Sequence, residues 1–258
     1  MLIRTGFAVR AFNIEIATLQ DQISDMKIGE MRFKFWETSL VEIYKNKIPK
    51  HPVLIELFMA AKTHKLSLIY LKRLISSREK YMLNSSLKTI EDLETYAENS
   101  VSPVYYLFLE AMEIYLDIIT EIKDMTVDHT VSHLGKCQGI VNIIRGIPYN
   151  SKSGRISIPQ EVLLKYKVSY ENIIRNSNEK NVRDAIYELA SRANSHLMKA
   201  RKLEKEGNKR IKSICLPFVP LHLYLEKLRK ADFNVFDKKL QERNNLLPMK
   251  LFWHKIVG

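Results

Sequence analysis

Apolar residues recur at helical intervals along nearly the whole chain. They stand at Phe7, Val9, Phe12, Ile16 and Leu19, and again at Met31, Phe35, Leu40 and Ile43, the spacing of helices that each bury one side. Pro49 and Pro52 predict the end of the second, and shorter helices are expected over 53–63 and 66–80. Thr89 and Asp92 form a capping pair ahead of Leu93 and Tyr96, and Pro103 predicts a break. Residues 104–119 then read as a central helix with one polar stripe, Glu110, Glu113 and Asp117.

The next helix, 128–145, carries Gly135 and Gly139 four apart, which lets a neighbouring helix come close, and Gly146 with Pro148 predicts its end. Residues 147–159 are rich in turn formers. Over 178–206 a long amphipathic pattern places Val182, Ile186, Leu189, Ala193, Leu197 and Ala200 on one seam. Pro217 and Pro220 precede a helix to Lys230, and a last apolar segment runs through Trp253. No series of period two and no internal repeat interrupts this, so an all-α fold is expected, as one domain over 1–258.

Composition narrows the class. The chain is 46% hydrophobic and 27% charged, with 8 Gly and 8 Pro, as globular chains are. Cys137 and Cys215, its two cysteines, form no CxxC pair, so neither a disulfide framework nor a thiolate zinc site is signalled, and two buried thiols in a reducing compartment are expected. A net charge of +12 favours anionic partners. Acids interrupt even the most apolar stretch, so no transmembrane helix is expected. Arg4, Arg10 and Glu15 break up any secretory signal. Residues 1–17 have the composition of a mitochondrial leader, yet their apolar spacing assigns them to the fold.

Several groups carry candidate chemistry. Asp21 and Asp25 have the DxxxD spacing that points two carboxylates from one helix face toward a Mg²⁺ ion; the alternative is two solvated acids near a helix end. Asp124 and Asp128 repeat the spacing, but about five turns before Arg145, and are read as capping or surface residues. His129 and His133 have the spacing of a two-histidine metal face, but no third ligand is apparent, and caps or packing are the preferred reading. Lys199, Arg201, Lys202, Lys205, Lys209, Arg210 and Lys212 put seven cations in fourteen residues, offset by Glu204 and Glu206. Such a run is either a solvated helix face or a contact with an anionic membrane surface. No zinc finger, RNP-like sequence or aromatic-interleaved strand accompanies it, so nucleic acid is not expected as a partner, and an RNA-binding protein driven by this cluster is the alternative to the membrane contact.

Five stretches, in order, resemble the squalene/phytoene synthase family. They are Ala11-Phe12, Arg32-Phe33-Lys34-Phe35-Trp36, the pair His133-Leu134-Gly135 and Asn142-Ile143-Ile144-Arg145, Gly154-Arg155 with Ile158-Pro159, and the later Lys167-Val168-Ser169 and Arg192-Ala193-Asn194-Ser195-His196-Leu197. The resemblance implies a class I isoprenoid synthase-like helical fold with a central cavity. It also implies catalysis through Mg²⁺ held by two DxxxD motifs. Aligned through Ala11-Phe12, the first motif falls on Ala17 and Asp21, with Asp25 one turn later; the second, directly after Arg145, falls on Gly146 and Asn150. A methyl group, a glycine and an amide replace three of the four carboxylates, so no metal, no cofactor and no catalytic residue are expected. Arg32, Asn142, Arg145 and Arg155 remain as a candidate pocket for an anionic or isoprenoid-like ligand, or as residues that complete ordinary hydrogen bonds.

Ala11-Phe12-Asn13-Ile14-Glu15-Ile16-Ala17, Asn181-Val182-Arg183-Asp184 and Leu246-Leu247-Pro248 are similar to a mitochondrial branch of that family that serves assembly of respiratory complex I. That branch implies a peripheral place on the matrix face of the inner membrane, complex I subunits or assembly intermediates as partners, and contact with anionic lipid. The chain starts almost at the first family-like helix; either a leader precedes this chain or the protein acts elsewhere.

Overall fold

A computed structural model describes residues 2–22, 25–84, 86–113, 125–207 and 209–257, without the side chains of 84, 209, 210, 256 and 257. All regular structure among these residues is helical. The helices are α1 Leu2–Gln22, α2 Met26–Tyr44, α3 Pro52–His64, α4 Leu68–Asn84, α5 Ile90–Ala111, α6 Met125–Asn150, α7 Gln160–Lys165, α8 Tyr170–Ile174, α9 Lys180–Glu206, α10 Phe218–Lys230, α11 Lys238–Gln241 and α12 Leu247–Val257. Two compact units are distinguished, residues 1–85 with 99–128, and residues 86–98 with 129–258.

In the first unit α1 packs on α3 and α4, and α2 on α4. Val9, Phe12 and Ile16 of α1 meet Leu40 of α2, Leu54 and Leu57 of α3 and Leu71 and Leu74 of α4 in a fully buried core. The Phe12 and Trp36 rings pack edge to face at 5.7 Å. The predicted faces need correction here. Phe7, Met31 and Phe35 are exposed, and α2 turns Phe33, Trp36, Leu40 and Ile43 inward instead. Both sets have helical spacing, so periodicity alone does not choose between them.

Pro52 opens α3 at its first turn, where a missing N–H costs nothing. Pro103 lies inside α5 and does not end it. The predicted central helix stops at Ala111, with Glu113 in the left-handed region at φ 54; Asp117 lies outside the described residues. Glu110 accepts a hydrogen bond from the Ser67 N–H at 2.8 Å.

The second unit is built around α6, α9 and the first part of α5. Leu93 and Ala97, Leu134, Cys137, Ile140 and Ile144, and Val182, Ile186, Leu189, Ala193 and Leu197 are all buried, so the seam read from the α9 sequence is the buried one. Gly139 is where α6 touches α5: a Cβ there would stand 2.3 Å from the Ala97 Cβ. Helix α6 continues through Gly146 and Pro148 to Asn150, past its predicted end. A 3₁₀ turn over Ser151–Ser153 follows, closed by Gly154 at φ 70. Cys137 and Cys215 are buried free thiols, and burial pushes Cys137 up to about 12. No helix among the described residues is long and apolar enough to cross a membrane.

Candidate functional site

Ala17 and Asp21 lie four residues apart near the end of α1, and both are exposed. Asp25 is not on that helix. Its backbone is extended (φ −125, ψ 131), and its carboxylate caps α2 by accepting from the Lys27 N–H at 2.7 Å. The Asp21–Asp25 spacing therefore spans a helix boundary and does not place two carboxylates on one helix face. Arg32, exposed on α2, donates to the Gln22 side-chain oxygen at 3.2 Å.

In the second unit, Asn142, Arg145, Gly146 and Asn150 all ride on α6. Gly146 and Asn150 face the same way: a Cβ at Gly146 would lie 3.0 Å from the Asn150 amide nitrogen. The Arg145 guanidinium sits 5.8 Å from the centre of the Tyr224 ring, and burial pushes the Tyr224 phenol up to about 12 against the pull of that cation. Arg155 is half-buried, and its Nε donates to the Ser153 hydroxyl at 3.2 Å. At the positions the family resemblance assigns to metal binding, α1 offers one carboxylate, Asp21, and α6 offers one amide, Asn150. Mg²⁺ requires several hard charged oxygens in near-octahedral array, and neither pair taken by itself supplies two. Asp128 lies in the first turn of α6, while Asp124 is outside the described residues.

A buried polar group joins α5, α6 and α9; its histidines stand in the family-like stretches, but the motifs foretell neither their pairing nor Glu94. His196 projects from the apolar seam of α9, and its Nε2 lies 3.0 Å from the Glu94 carboxylate. Its Nδ1 lies 2.8 Å from Nδ1 of His133 on α6, and Arg192 donates to the same Glu94 oxygen. The tautomers follow. If His196 gives its Nε2 proton to Glu94, its Nδ1 accepts, so His133 must carry its proton on Nδ1.

Burial raises the Glu94 carboxyl, but the hydrogen bonds from Arg192 and His196 outweigh it and hold the group below its ordinary range. Burial lowers His196 despite Glu94. Burial, then the neighbouring His196 ring and the cations Lys136 and Lys199, bring His133 down to about 4. Imidazole nitrogens 2.8 Å apart share a proton; each would need about 2 Å of its own to a metal. Among the described residues no three His, Cys, Asp or Glu are placed to hold a metal ion. His129, one turn before His133, is exposed. The legible signal was a histidine on an otherwise apolar seam, since such a ring needs a partner.

Lys199, Lys202 and Lys205 recur at threes along α9 and are exposed. Arg201 is half-buried, with its guanidinium 5.9 Å from the Phe218 ring centre, and burial lowers its pKa. Lys209, Arg210 and Lys212 follow in a 3₁₀ turn, where the Lys212 side chain is exposed.

The profile of squalene/phytoene synthases matches residues 4–248. The chain belongs to the squalene/phytoene synthase family. A relative from Bos taurus named NADH dehydrogenase (ubiquinone) complex I, assembly factor 6 is 39% identical over 254 residues, covering 97% of this chain and 74% of the relative. The homologue of that factor from Drosophila melanogaster is 36% identical over 262 residues, 99% of this chain and 76% of its own. Among solved structures, a dehydrosqualene synthase in complex with ligand matches with a TM-score of 0.80 over 98% of this chain and 85% of that one, at 18% identity. The likeness shows the fold, which is the all-α isoprenoid synthase-like one.

Proposed function

We propose that this chain is a non-catalytic assembly factor for mitochondrial respiratory complex I, NADH:ubiquinone oxidoreductase, working as one domain over residues 1–258 on a fold inherited from isoprenoid synthases. The observation that carries this reading is that relatives 32% to 39% identical along nearly the whole chain are named for that role. Its second half, the loss of catalysis, is supported by Ala17 and Gly146, which offer no ligand where the family's chemistry needs a carboxylate.

The proposed partners are complex I subunits or assembly intermediates. The proposed location is the matrix face of the inner membrane, with Lys199, Lys202 and Lys205 toward anionic lipid headgroups. Arg32 in the first unit, and Asn142, Arg145 and Arg155 in the second, are retained as contacts for an anionic or isoprenoid-like ligand. No cofactor and no nucleic acid enter this reading.

The test is the profile of complex I intermediates in cells that lack the protein. Accumulation of a subcomplex, reversed by the wild-type chain, is expected; unchanged intermediates would sink the assembly role. The non-catalytic half is tested separately with farnesyl or geranylgeranyl diphosphate and Mg²⁺. Turnover that disappears in Asp21→Ala would overturn it.

A further inference from the structure

Helix α12 leaves its most apolar residues in solvent. Met249, Phe252 and Trp253 are 64%, 65% and 67% exposed, and Leu246 just before the helix is 56% exposed. The helix is nonetheless a built element. Asn244 accepts from the Leu246 N–H at 3.1 Å to start it, Pro248 sits in its first turn, where proline is tolerated, and α12 packs on α10. Leu247, Leu251 and His254 are its half-buried side.

With successive residues turned by about 100°, Met249, Phe252 and Trp253 share an arc of about 100° on the opposite side. Lys250 and Lys255 lie about 60° beyond its two edges, and both are exposed. Residues 238–257 hold five cations, Lys238, Lys239, Arg243, Lys250 and Lys255, against the single acid Glu242. An outward apolar stripe with a Trp, bordered on both sides by lysine, is the pattern of a helix that lies in a membrane interface.

The geometry points to α12 as an interfacial helix that docks on an anionic bilayer, with Met249, Phe252 and Trp253 at the acyl boundary and Lys250 and Lys255 among the headgroup phosphates. It rests on the membrane contact proposed above and assigns a second element to it beside the lysines of α9. A second copy of the chain is a poor occupant. The four exposed side chains present roughly 500 Å², below the roughly 800 Å² per partner of a stable interface. Two such stripes face to face would also bring their bordering lysines together.

Vesicles of phosphatidylcholine, with and without roughly one quarter phosphatidylglycerol, test this directly. The chain has two tryptophans, and Trp36 is buried, so Trp253 reports the contact. Anionic vesicles should shift its emission to the blue and shield it from acrylamide, and Trp253→Phe should abolish both changes. Lys250→Gln with Lys255→Gln should weaken vesicle binding about thirtyfold, and Phe252→Ser with Trp253→Ser at least tenfold. All three variants should keep the wild-type circular dichroism and Tm, because these side chains point outward.

Wild-type vesicle binding that survives the α12 variants but is lost in Lys199→Gln, Lys202→Gln, Lys205→Gln would overturn the α12 assignment and leave the membrane reading intact. No binding by the wild-type chain would overturn both, while the assembly role is judged by its own profile. Burial of Trp253 that tracks protein concentration without lipid would overturn the inference in favour of self-association.

Discussion

Two side-chain positions carry more of the second unit than their size suggests. At Gly139 an added methyl would meet the Ala97 Cβ at 2.3 Å and its Cα at 2.6 Å, so backbone must move. Alanine is the better helix former by about 1 kcal/mol, but forcing packed helices apart costs more. Gly139→Ala is expected to destabilise the protein by about 2 kcal/mol in denaturant unfolding. Ala97→Gly should restore only part of that, since the Cα obstacle stays.

The second position is His133, held neutral with a pKa of about 4 by burial and by the His196 ring. In the unfolded chain it titrates near 6.5. Its folded pKa is depressed, so the unfolded state binds the proton first on acidification. The stability it contributes is complete above about pH 6.5, falls as pH drops toward about 4, and changes no further below that. Besides burial, the groups that enforce this are His196 and Lys199 on α9 and Lys136 and His129 on α6. The difference in unfolding free energy between wild type and His133→Gln, followed by urea titration, should shrink over that interval. A difference that stays flat between pH 7 and 4 would contradict the neutral His133.

The helices themselves show where sequence patterns succeed and fail. The α9 seam was legible because Val182, Ile186, Leu189, Ala193 and Leu197 bury one face without a break. The Gly135–Gly139 spacing was legible too, because a close approach needs a small residue and Gly139 makes one. Both prolines misled, for reasons that lie outside the local sequence. Pro148 falls in the last turn of α6, where it leaves the Ile144 carbonyl without its helical donor but only two more residues of helix follow. Pro103, inside α5, cannot donate to the Asn99 carbonyl one turn earlier.

Beside that gap Arg78, from α4, donates to the Ser100 carbonyl at 3.0 Å, to the Asn13 side chain at 2.8 Å and to its own Leu74 carbonyl at 2.8 Å. That tertiary support is 22 residues away in sequence, beyond the reach of any periodicity argument. Arg78→Met keeps the stem and removes the donors, and it is expected to cost about 2 kcal/mol by removing three part-buried hydrogen bonds from a charged group. Thermal unfolding that matches wild type would show that α5 spans Pro103 without this help. The same blindness hid the pairing of His133 with His196, 63 residues apart.

For the molecule as a whole, the proposed division between fold and chemistry can be reversed experimentally. If the synthase activity was lost because carboxylates are missing from α1 and α6, restoring them should restore ligand binding before it restores any reaction. Ala17→Asp adds an acid four residues from Asp21 on an exposed helix face. Gly146→Asp and Asn150→Asp create the equivalent pair on α6, and among the described residues a new Cβ at Gly146 meets only the movable end of residue 150. A ligand at about a hundred times its Kd stabilises a folded protein by about 2.7 kcal/mol, which for a chain of this size raises Tm by about 5 °C or more. Adding Mg²⁺ to farnesyl diphosphate is therefore expected to leave the wild-type Tm where farnesyl diphosphate alone puts it and to raise that of the triple variant, with the gain abolished by EDTA. A comparable Mg²⁺-dependent rise in the wild-type chain would mean that this protein still binds diphosphate through other residues, and the case for a retired synthase would fall with it.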